Sequence, residues 1–135
     1  MKSTHISTFI SGVILLLASI LFISCTTCEL TFEENMTPAR YFQKAQLAAK
    51  NYCYDVAIGY YEKFREIYPN NIERGVWAEY EIAVLYHKKG DDTKALELLN
   101  ALLDRYQADT SRTLPDAPKT LALRVKENIE KSMQK

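Results

Sequence analysis

Residues 82–102 read IAVLYHKKGDDTKALELLNAL, and this stretch decides the fold. Small and bulky apolar residues recur at helical spacing on both sides of a polar break: Ile82, Ala83 and Tyr86 before it, Ala95, Leu99 and Leu102 after it. Residues four and seven beyond Ala95 share one face of a helix with it. Within the break, Gly90 suits left-handed backbone after one helix, and Asp91 or Asp92 can cap the next. The stretch therefore predicts two helices folded back on each other, with small alanines letting them approach closely.

The same pattern occurs upstream. Ala57, Tyr61 and Phe64, followed by Pro69, repeat the spacing of Ala95, Leu99 and Leu102 at a separation of 38 residues, as an internal repeat would. Helices are expected near 38–50, 54–68, 73–89, 93–107 and 117–133. Asn51, Pro69-Asn70-Asn71, Gly90-Asp91-Asp92 and the polar run 108–116 with Pro115 punctuate them. Thr37-Pro38 opens the first: Thr can cap a helix, and Pro is tolerated at its first position. The last helix carries Leu121, Ala122, Val125 and Ile129 on one face and Lys119, Lys126, Glu127, Glu130 and Lys131 elsewhere, the polar exterior that a terminal unit needs. The expected architecture is all-α, a short solenoid of α-hairpins with about five helices.

The amino terminus reads as an address. Lys2 precedes an apolar run from about Phe9 to Ile23, and Ser24 leads into Cys25, the layout of an export signal. The stretch Leu21-Phe22-Ile23-Ser24-Cys25 resembles a bacterial lipobox, with Phe22 at the place the motif usually gives to Leu. That resemblance implies a diacylglyceryl group on the Cys25 thiol, cleavage before Cys25 and acylation of the new amino terminus. Several acyl chains together hold a protein stably on a membrane. An uncleaved signal anchor and an ordinary cleaved signal are the alternatives. The domain plan is then a lipoprotein signal peptide at 1–24, the lipidated Cys25 with a flexible tether at 25–37, and a helical domain at 38–135. Thr26 follows the lipid site where enterobacterial lipoproteins retained in the inner membrane carry Asp. This implies an envelope protein on the outer membrane, facing the periplasm.

The helical body resembles the tetratricopeptide repeat (TPR). Ala83, Tyr86, Gly90, Ala95, Leu99 and Leu102 fill its small and bulky positions in one repeat; Ala45, Ala57, Tyr61, Phe64 and Pro69 fill them in the other. Ala48 stands in place of Tyr and Tyr52 in place of Gly. The phrase Tyr68-Pro69-Asn70-Asn71 before a long helix is typical of exported bacterial members, among them the lipoprotein of the outer-membrane β-barrel assembly machine and the Tol–Pal-associated periplasmic protein. The resemblance covers about residues 38–107. It implies a concave protein-binding groove formed by Phe42, Gln46 and Lys50 with Trp77, Tyr80, Val84, His87 and Lys88. Trp and Tyr are anchor types at interfaces, but periodicity alone leaves open that Trp77 and Tyr80 are core.

Composition narrows the function. Lys plus Arg and Asp plus Glu number 17 each, and a chain without net positive charge makes a poor nucleic-acid binder. Of two histidines, His5 lies in the signal, and His87 has no ligand set around it, so no metal site is expected. Cys28 and Cys53 are candidates for a disulfide that would clip the tether to the first hairpin, although Cys53, between two tyrosines, could equally be a buried thiol. No nucleophile, base and orienting group can be assembled. The expectation is a non-enzyme with no cofactor beyond the lipid on Cys25: a scaffold or adaptor for envelope proteins, with β-barrel assembly components the first candidates by resemblance. A self-associating structural element and a ligand-capturing lipoprotein beside a transporter are the alternatives.

Overall fold

Three of the five helices begin where a side chain takes up a free backbone N–H. In the computed structural model, which describes residues 28–134, Thr37 Oγ1 accepts from Arg40 N at 3.3 Å, with Pro38 in the first turn of α1 (Pro38–Lys50). Asn71 Oδ1 accepts from Arg74 N at 3.3 Å ahead of α3 (Ile72–Lys88), and Asp91 Oδ1 accepts from Lys94 N at 3.0 Å ahead of α4 (Asp92–Ala108). Such caps satisfy donors that the helix itself leaves free. The remaining helices are α2 (Tyr54–Ile67) and α5 (Asp116–Met133). The described residues form five helices and no strand, an all-α fold. The signal peptide and Cys25 lie outside the described residues.

Short connections turn the chain into antiparallel neighbours. Helix α1 packs on α2, α2 on α3, α3 on α4 and α4 on α5, and α5 also reaches back to α3. Helix α3 is therefore central, with two buried faces. Ala78, Ile82 and Leu85 join Tyr41, Ala45, Ala57, Tyr61 and Phe64 in one core; Val76 and Ala83 join Ala95, Leu99, Leu102, Ala122 and Ile129 in a second. Tyr86 and Leu98 pack against both and make them continuous. The alanines at 45, 57, 78, 83, 95 and 122 are fully buried, as close helix contact requires.

The two hairpin turns have matching backbones. Gly90 has φ 84° after α3, and Tyr52 has φ 61° after α1, 38 residues earlier. Both occupy the left-handed position that ends a helix, where Gly is free of strain and a side chain is not.

Residues 28–37 differ from the flexible tether expected of them. They form a strap along the first hairpin. Cys28 is bonded to Cys53, the residue just ahead of α2, with Cα atoms 5.4 Å apart. Tyr60 Oη donates to Thr31 O at 2.8 Å and accepts from Thr31 N at 3.3 Å. Tyr68 Oη donates to Met36 O at 2.7 Å, and the Met36 side chain is buried in the first core. The Phe32 ring meets Tyr60 edge-on at 5.6 Å. Glu33 receives both Arg40 Nε and Nη2, at 3.2 and 3.1 Å, and lies 2.8 Å from Lys44 Nζ. The strap carries no hydrophobic period because side-chain-to-backbone bonds and a covalent bridge hold it, not a repeating apolar face. In the chain-entropy model a bridge closing such a loop contributes about 3.5 kcal/mol.

Candidate functional site: the α1–α3 face

The face shared by α1 and α3 is aromatic and only half covered. Phe42 on α1 packs edge-on against Tyr61 and Phe64 of α2, at 5.1 and 5.2 Å. Its outer surface carries the Arg74 guanidinium of α3, 5.6 Å above the ring centroid. This cation–π contact bridges the two helices. One turn on, Trp77 and Tyr80 meet edge-on at 6.1 Å. Both are half-buried. Tyr80 touches the second core, whereas Trp77 and the half-buried Val84 belong to neither core cluster. The pair is thus neither wholly core nor free surface.

Electrostatics follow from that partial burial. Burial pushes the Tyr61 phenol well above its ordinary pKa, and the Glu81 carboxylate adds to the rise. Tyr80 is raised by burial and then by Glu81, with Arg124 of α5 acting against them. Burial raises Glu81 itself, and Lys88 opposes the rise. The Tyr80 phenol stays protonated near neutrality and can donate a hydrogen bond, beside the Glu81 side chain, whose oxygens can accept, whereas Tyr61 is sealed in the first core. A donor and acceptor set on an aromatic floor suits an extended or helical polypeptide segment.

Not every expected groove residue joins this set. Gln46, Lys50 and Lys88 are exposed. His87 turns to the hairpin: its Nδ1 lies 2.5 Å from Asp92 Oδ1 at the start of α4, so its ring braces the α3–α4 turn. Tyr61 reads as core, and it is core. Arg74 was missed as a site residue by periodicity: it reads as a solvated helix face until the fold brings it over the Phe42 ring.

No family model, curated protein or solved structure matches the chain.

On the opposite side of α3, Glu79 Oε1 accepts from Arg65 Nη2 at 2.8 Å and from Arg105 Nη1 at 2.7 Å. This joins α2, α3 and α4 beside a hollow of about 190 Å³ lined by Ile82, Leu98 and Leu102. Cys28 and Cys53 are at the far end of the first hairpin. None of the described helices is long and apolar enough to cross a membrane.

Proposed function

We propose that the chain is a lipid-anchored scaffold of the bacterial cell envelope, a short TPR-like protein that holds a protein partner on its α1–α3 face. The observation that carries this reading is the Trp77–Tyr80 pair, half-buried beside Phe42 and Arg74. Large aromatics left partly open on a rigid helical face are the anchors around which protein interfaces form. The TPR likeness is supported by the matching left-handed residues Tyr52 and Gly90 and by the buried small residues Ala45, Ala57, Ala83 and Ala95. Export is supported by the Cys28–Cys53 bond, which belongs in an oxidising compartment. The lipid on Cys25 and the outer-membrane location rest on the lipobox-like sequence, and the β-barrel assembly machinery is the first partner to seek.

Two variants test the reading. Cys25→Ala removes the acyl acceptor; the protein should keep its precursor mass, with the apolar signal uncleaved and no acyl mass at position 25, and processing unchanged from the wild type would refute the anchor. Trp77→Ala with Tyr80→Ala should retain the helical circular dichroism spectrum and lose the partner recovered by cross-linking from intact cells. Collapse of the helical signal would instead make the pair core and remove the groove.

A further inference from the structure

We propose that the Cys28–Cys53 end of the domain, with Tyr52, Tyr54, Leu47 and Lys50, is a membrane-contact surface seated in the headgroup layer of the leaflet that carries the Cys25 lipid. The inference rests on the lipid anchor proposed above, and the strap extends it.

Two residues, Thr26 and Thr27, lie between Cys25 and Cys28, so the reach is about 10 Å at full extension. Were residues 26–37 a free tether, the reach would be roughly 40 Å. The bond from Cys28 to Cys53 and the Thr31, Phe32 and Met36 contacts remove that length. The described chain therefore begins at Cys28, against the turn between α1 and α2, and an acylated Cys25 would hold that turn at the bilayer.

The turn is built for such a neighbour. Tyr52 is 79% exposed and Leu47 56% exposed. The Tyr52 ring meets Tyr54 edge-on at 6.2 Å. Tyrosine places an apolar ring and a polar hydroxyl at the depth of lipid headgroups, and Lys50 sets an ammonium beside them within reach of lipid phosphates. Tyr52 also sits in left-handed backbone where the equivalent turn has Gly90. An exposed aromatic kept in left-handed backbone is the kind of outlier that marks a contact surface.

The test uses the full acylated chain extracted from bacterial membranes and reconstituted into vesicles of phosphatidylethanolamine and phosphatidylglycerol containing a lipid brominated on its acyl chains. Trp77 is the sole tryptophan and reports the groove. Tyr52→Trp with Trp77→Phe moves the reporter to the turn, and Leu47→Trp with Trp77→Phe gives a second reporter if the first misfolds. Bromolipid should quench either turn reporter at least twofold and leave Trp77 of the wild type unquenched. Cys28→Ser with Cys53→Ser releases the chain as far as Thr31, which Tyr60 still holds, about doubles the reach from Cys25, and should weaken the turn quenching while the protein still floats with vesicles. Flotation with an unquenched turn, or with a quenched Trp77, overturns the surface and leaves the anchor standing. Loss of flotation together with absence of acyl mass on the amino-terminal peptide overturns the anchor, and the surface with it.

Discussion

Tyr60 and Thr31 are paired through one hydroxyl: the Tyr60 Oη donates to the Thr31 carbonyl and accepts the Thr31 N–H, at 2.8 and 3.3 Å. A single side chain thus satisfies both backbone groups of a residue 29 positions away and substitutes for the partner strand that an extended segment normally needs. Tyr60 itself is buried, so the pair connects the first core to the strap.

Tyr60→Phe tests that connection. The ring stays in the core, the two bonds are lost, and the cost is expected to be about 1 kcal/mol. Amide exchange at Thr31 should accelerate by an order of magnitude or so while exchange in α3 and α4 is unchanged. Equal acceleration in α3 would mean that the strap and the helices open as one unit.

Glu33 gives the strap a pH dependence. Hydrogen bonds from Arg40 and then Lys44 hold its carboxyl at a pKa of about 2, below its ordinary 4.5. A depressed folded-state pKa means the contribution is present above pH 4.5 and is lost as pH falls toward 2. The Glu33 carboxyl resonance should titrate near 2 in the wild type and return toward 4.5 in Arg40→Ala with Lys44→Ala. Because the pair is solvent-exposed, salt should move the wild-type value upward. A wild-type midpoint near 4.5 at low salt would dissolve this cluster.

Glu79 is shared by Arg65 and Arg105 and ties three helices. Glu79→Gln keeps an acceptor but removes the charge, leaving two guanidiniums facing each other. Partial exposure of both arginines limits the expected loss to about 1 kcal/mol, or a few degrees in Tm for a domain of this size. The loss should shrink in high salt. A salt-independent loss would point to packing in place of charge.

The two left-handed turns predict opposite effects from exchanging their residues. Tyr52→Gly should stabilise by about 0.5–1 kcal/mol, and Gly90→Tyr should destabilise by about 1 kcal/mol, because only Gly adopts positive φ without a Cβ clash. Thermal unfolding reads both. A destabilised Tyr52→Gly would show that the Tyr52–Tyr54 contact outweighs the backbone strain.

Five helices were legible in the chain to within a residue at each end, because capping residues and helical periodicity are local signals: Thr37-Pro38, Asn71 and Asp91 mark starts whatever the tertiary fold. The buried alanines at 45, 57, 83, 95 and 122 were legible for the same reason, whereas Ala78 was not singled out. The strap was not, since Thr31, Phe32, Met36 and Glu33 are held by partners far along the chain or by lone side chains, and their spacing has no period. The candidate site was legible in part. Trp77 and Tyr80 stand out by type, whereas Arg74 reaches the Phe42 ring only because α3 lies beside α1, and His87, expected in the groove, turns to Asp92 because the hairpin brings the α4 terminus against it.

The sequence alone determined the elements, since helix periodicity and capping depend on residues three or four apart, and it determined the export and lipidation signal as an expectation. Tertiary structure decided which faces remain open and how residues 28–37 are held. Both depend on contacts across tens of residues: the Cys28–Cys53 bond, the Tyr60–Thr31 pair and the Arg65–Glu79–Arg105 junction. No local pattern encodes those contacts, because their geometry exists only once the helices have packed.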